Sequence, residues 1–160
     1  LLKAEEWQVD RNLLNRKVIR TGWPMEYMEP ILEQFKGMEK HNIILFPHRI
    51  APEKQIDIFR DLAEELPFRC IVCQDSELTK DEYHELLGTA KMVFSANLQE
   101  TLGISCYEGA IVNTIPLVPD RLSYSEMYNE IYKYPSDWTR SFEHYTIHKK
   151  ELVSVITDIK

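Results

Sequence analysis

Four short apolar blocks punctuate the middle of the chain: Asn42 to Phe46, Phe68 to Cys73, Lys91 to Ser95 and Ile115 to Pro119. Each is a continuous or near-continuous run, the form of a strand buried on both faces of a parallel sheet. The first is followed by a loop and then by Ile56, Phe59, Leu62, Ala63 and Leu66 on one helical stripe, which Pro67 ends. The second is followed by Thr79-Lys80-Asp81-Glu82, a capping box that predicts a helix through about Leu87 with Gly88 closing it. Gly103 to Val112 reads as a short helix after the third strand, with Asn113 at the left-handed turn before the fourth.

The flanks are less regular. Leu1 to Arg16 is spaced loosely enough for a helix, Lys17 to Thr21 reads as a short strand, and Gly22-Trp23-Pro24 stops it. Ile31, Leu32 and Phe35 predict a helix over Met28 to Met38. Tyr132 to Tyr145 is aromatic and polar without a clear period, and Leu152, Val153, Val155 and Ile156 predict a last helix over Ile147 to Ile159.

Strands alternating with helices imply right-handed crossovers and a Rossmann-like α/β fold: a parallel sheet with helices on both faces and ligands at the carboxyl ends of the strands. At 160 residues and 44% hydrophobic, the chain suits one compact domain. We divide it into an amino-terminal helical or linker segment, residues 1–39, and the Rossmann-like domain proper, residues 40–160.

A formal charge of -7 disfavours nucleic acid or anionic lipid as the main partner of this domain. No apolar run has the length needed to span a bilayer and no signal-peptide pattern opens the chain, so a soluble, cytoplasmic protein is expected. Three cysteines are too few for a disulfide scaffold. Cys70 and Cys73 have a C-x-x-C spacing, but positions three apart on a strand face opposite sides, so they read as core thiols rather than metal ligands.

Two loops on the expected ligand face carry useful groups. Arg49 and Lys54 follow the first strand; Arg offers a planar fork and Lys a compact charge, the two ways proteins grip phosphate. On spacing alone they are also ordinary loop cations. After the third strand come Glu100 and Glu108, with Gly103 between them. A helix starting near Gly103 would point its free amides at the end of the sheet, where a diphosphate can be held. Without context, a Glu such as Glu108 on a short amphipathic helix is more often a solvated face residue.

The context is a resemblance. Glu100-Thr101-Leu102-Gly103-Ile104-Ser105-Cys106-Tyr107-Glu108, after a buried strand and before a proline-containing one, is similar to the Glu-x7-Glu motif of the large retaining glycosyltransferase family that includes glycogen and sucrose synthases. Arg49 and Lys54 sit where that family carries its diphosphate-binding Arg and Lys, and the likeness covers roughly residues 40 to 128.

The resemblance implies the nucleotide-sugar-binding, carboxyl-terminal domain of a two-domain GT-B enzyme. Arg49 and Lys54 would stabilise the charge of the leaving diphosphate, Glu100 would hold hydroxyls of the transferred sugar, and amides from Thr101 through Leu102 and Gly103 to Ile104 would hold sugar and phosphate. Glu108 would accept from the ribose. The family scheme is same-face attack with retention of configuration, and it requires no metal or other cofactor. The acceptor and its domain are absent from this chain, so the isolated domain is expected to bind a nucleotide sugar such as a UDP- or GDP-hexose and turn over little or nothing.

Two features depart from the family. His48 stands where Gly usually precedes the Arg, as a secondary contact to the phosphate side or a structural group. The interval between the Phe68 strand and the Tyr83 helix is short, which predicts a sheet trimmed by one α/β unit and an altered base pocket. Phe46-Pro47-His48-Arg49, Pro116 to Pro119 and Tyr124-Ser125-Glu126 are also similar to a subgroup that glycosylates a modified transfer RNA base, a minor lead given the acidic balance. Two rivals stand beside the transferase: a noncatalytic interaction module that kept the fold and lost the ligand, and a nucleotide-sugar epimerase of the same architecture.

Overall fold

The computed structural model describes residues 24–159. The helix and strand expected within residues 1–21 lie outside the described residues.

Five strands form one all-parallel sheet: β1 (His41–Phe46), β2 (Arg69–Val72), β3 (Ala90–Phe94), β4 (Ile115–Pro119) and β5 (Lys133–Tyr134), in the order β2-β1-β3-β4-β5. The helices are α1 (Glu29–Phe35), α2 (Ile56–Ala63), α3 (Lys80–Thr89), α4 (Ile104–Ile111), α5 (Tyr124–Met127) and α6 (Phe142–Asp158). This is a Rossmann-like fold. Its strand order is that of flavodoxin-like sheets, and also the order left when the outermost unit is taken from a 3-2-1-4-5-6 sheet. Only the short 3-10 turn Cys73–Asp75 fills the interval between β2 and the cap of α3.

The period of two along each strand divides the core between the faces. Ile44, Phe46, Met92, Phe94 and Leu117 pack with Phe59 and Leu62 of α2 and Tyr145, Leu152 and Ile156 of α6. Ile43, Leu45, Val93 and Val118 pack on the other side with Leu87, Cys106, Val112 and Tyr124. Met28 is fully buried in this second cluster, so the packed core reaches back beyond residue 40. Cys70 and Cys73 lie against opposite clusters, as their spacing predicts.

The capping box is formed: Thr79 Oγ1 accepts from Glu82 N–H, and Glu82 Oε2 accepts from Thr79 N–H at 2.8 Å. Gly88, however, does not close α3. It lies inside the helix, where a Cβ would stand 2.3 Å from the Phe35 ring, so its smallness serves helix packing and the helix runs on to Thr89. Asn113 has φ 61, the left-handed turn expected of it. α1 is shorter than expected because Gly37, at φ 73, reverses the chain. Two features escaped the periodicity: β5 is only two residues long, and α6 begins five residues early, where Ser141 accepts from His144 N–H at its amino end.

Candidate functional site

The first crossover leaves β1 to one side and the third strand returns past it to the other. This reversal opens the carboxyl ends of β1 and β3 toward each other, the switch point at which doubly wound sheets bind ligands. The loops after these strands, with helix α4 that follows the second of them, hold every site residue expected from the sequence.

The loop after β1 turns at the 3-10 segment Pro52–Lys54 and at Gln55, which is left-handed at φ 53. That geometry sends Lys54 inward. Its ammonium, 8% exposed as a residue, donates to Gln99 O at 2.8 Å and to Glu100 Oε2 at 3.0 Å. Arg49 goes the other way: its side chain is 70% exposed and pairs with Glu53 on its own loop. Sequence position placed Arg49 and Lys54 together, and the structure separates their partners.

Glu100 is the most heavily bonded of the expected groups. Oε2 also accepts from Asn97 Nδ2 at 2.9 Å, and Oε1 accepts from the Thr101 amide at 3.0 Å. Burial pushes its pKa up, but the Lys54 hydrogen bond and charge, with the backbone amides of Thr101 and Gly103, outweigh that and hold the carboxyl below its ordinary value. Two amides expected to face sugar or phosphate, those of Thr101 and Gly103, are thus turned to Glu100.

Gly103 caps α4 with φ 65. A side chain here would meet strain and also Tyr124, whose ring lies 2.4 Å from the position of a Cβ. Leu102 and Ile104 flank it half-buried. Glu108, in the second turn of α4, accepts from Tyr27 Oη at 2.7 Å on Oε1 and from Tyr83 Oη at 3.2 Å on Oε2.

His48 is 5% exposed, edge-on to Phe46. Its Nδ1 lies 3.4 Å from Asn97 Nδ2 and 3.4 Å from Ser105 Oγ. Burial, then the Lys54 charge, push the imidazole down to about 4, against smaller opposing effects of Glu100 and a Phe94 backbone hydrogen bond. His48 is neutral at physiological pH.

Several participants had no sequence motif of their own. Asn97 is fully buried and joins His48, Glu100 and Tyr124 Oη, the last at 3.2 Å; a polar side chain just past a buried strand is the one signal that marks it. Arg121, in the loop after β4, donates to Ala96 O and Asn97 O, each at 2.7 Å, and to Ser136 O at 2.8 Å. Gln55 Nε2 reaches Ala96 O at 2.5 Å and Thr139 O at 2.7 Å. These two side chains pin the loop that carries Asn97 and Glu100, so the site rests on a fixed scaffold.

A cleft of about 290 Å³ opens beside this cluster, lined among others by His48, Arg49, Gln74, Leu78 and Tyr83. It lies between the loops after β1 and β2 and the start of α3. Among the described residues no group of three or more His, Cys, Asp or Glu is placed to hold a metal, and no helix is long and apolar enough to cross a membrane. Compared with models of known protein families and with curated proteins, the chain matches none.

Proposed function

We propose that this chain is the donor-binding domain of a retaining GT-B glycosyltransferase that transfers a hexose from a nucleoside-diphosphate sugar to an acceptor held by another domain. The observation that carries the reading is the meeting of Lys54 and Glu100 at 3.0 Å across the β1 and β3 loops. A cation and a hydroxyl acceptor are thereby brought side by side at the switch point, beside a cleft that leads to Glu108 through Tyr83.

In this reading Lys54 neutralises the leaving diphosphate, which is electrostatic stabilisation of charge that develops in the transition state. Arg49 joins it by leaving Glu53. The Arg49 side of that pair is exposed, and ion pairs open to solvent contribute about 1 kcal/mol or less, so a dianionic ligand offsets its loss. Glu100, kept ionised by Lys54 and two amides, accepts from sugar hydroxyls, and Glu108 accepts from the ribose. Neutral His48 and Asn97 hold the two loops in register. The acceptor side and half of the reaction chemistry belong to the partner domain.

A noncatalytic module is the second reading, favoured by the outward Arg49 and by the amides already filled by Glu100. Calorimetric titration of the chain with UDP and GDP separates the two. The transferase reading expects millimolar or tighter binding that falls at least severalfold in Lys54→Met and Glu108→Gln; binding indifferent to both substitutions, or no binding, favours the module. Product analysis of the enzyme with its acceptor domain separates transfer from epimerisation.

A further inference from the structure

Glu108 is held by two phenols from separate elements. Tyr27 sits in the 3-10 turn Glu26–Met28, which the fully buried Met28 anchors, and Lys80 lies over its ring at 5.6 Å from the centroid. Tyr83 rises from the first turns of α3 and lines the cleft. Each donates to a different oxygen of the carboxylate, at 2.7 and 3.2 Å.

An ionised carboxylate has about four acceptor sites, two per oxygen. One phenol on each oxygen fixes the plane of the group and leaves one site per oxygen. Two adjacent acceptors match two adjacent hydroxyl donors, which is the recognition pattern of a vicinal diol. Burial, with the hydrogen bond and charge of Glu108, pushes Tyr27 up to about 12, and the same causes raise Tyr83, so both phenols stay protonated and donate at working pH.

We propose that Tyr27 and Tyr83 are positioning residues that orient the Glu108 carboxylate to receive a vicinal diol, the 2′ and 3′ hydroxyls of a nucleotide ribose. The inference rests on the donor-site reading above and adds to it a selectivity for ribose that depends on two hydroxyls acting through Glu108. It also ties the segment ahead of the domain to ligand binding through Tyr27.

The test compares the four common nucleoside diphosphates, choosing the tightest binder, with its 2′,3′-dideoxy analogue by calorimetry on the wild-type chain, Tyr27→Phe, Tyr83→Phe and the double variant. Phenylalanine keeps each ring and removes only the hydroxyl. The expected result is a loss of roughly three- to tenfold for the ribonucleotide in each single variant, the range of a typical net hydrogen bond, with no change for the dideoxy analogue. Equal losses for both ligands indicate a structural role for the phenols and overturn the inference. An unchanged or tighter ribonucleotide affinity overturns it as well, the tighter case marking Tyr27 as a competitor for Glu108. Wild-type binding that ignores the diol contradicts this inference alone, whereas no binding of any nucleoside diphosphate contradicts the donor-site reading with it.

Discussion

Lys54 and Glu100 are 46 residues apart in sequence and 3.0 Å apart in space, with side chains only 10% and 17% exposed. The pair joins the two loops of the switch point. Removing one partner leaves the other charge poorly solvated, whereas removing both leaves none. Lys54→Met and Glu100→Leu should each destabilise the chain by about 2 kcal/mol, with the double variant less destabilised than the sum. Urea unfolding of the four proteins checks this, and strict additivity would show that the pair carries no coupling.

His48 links the site to pH. Its folded value of about 4 lies below the ordinary 6.5, so the unfolded chain binds the extra proton between these values. Stability is therefore full above pH 6.5 and falls as pH drops toward 4, by about 3 kcal/mol at most. Glu100, also lowered, adds a loss in the same direction at more acid pH. Denaturation curves of wild type and His48→Gln across this range should diverge, the variant being flatter; parallel curves contradict the assignment.

Two left-handed glycines separate backbone strain from packing. Gly37, at φ 73, has nothing within 4 Å of a Cβ, so Gly37→Ala should cost about 1 kcal/mol from conformation alone. Gly103→Ala adds collision with buried Tyr124 and should cost about 3 kcal/mol. Equal thermal shifts for the two variants would show that Tyr124 moves aside freely.

At Gly88 propensity and packing predict opposite signs. Alanine is the better helix former by about 1 kcal/mol, yet its methyl would fall 2.3 Å from Cγ of Phe35. Gly88→Ala should destabilise, and adding Phe35→Leu should recover part of the loss. A stabilised single variant, measured by thermal melting, would mean that α1 is displaced at little cost.

The sheet was legible because buried parallel strands leave continuous apolar runs, as Asn42 to Phe46 and Ile115 to Pro119 do. Local chemistry was legible too: the Thr79 cap and left-handed Asn113 depend on neighbours a few residues away. β5 was not, since two residues carry no period. Gly88 looked like a helix end because its true reason, the Phe35 ring, lies far off in the chain. The same limit governs the site. Spacing located the loops of Arg49, Lys54, Glu100 and Glu108, but the left-handed turn at Gln55 decides that Lys54 turns in while Arg49 pairs with Glu53. The contacts of Asn97, Tyr27 and Tyr83 are made only by folding.

The proposed donor site requires the carboxyl ends of β1 and β3 to bind the nucleotide part of a sugar donor. Amide chemical-shift mapping of the ¹⁵N-labelled chain during titration with UDP or GDP tests it most directly. Perturbations are expected to concentrate in residues 47–54, 73–83 and 97–108, which surround Lys54, the cleft and Glu108. Absence of shifts at millimolar nucleotide would contradict it, as would shifts centred at the opposite end of the sheet, where Lys40 Nζ donates to Val112 O at 2.8 Å and to Thr114 Oγ1 at 3.0 Å.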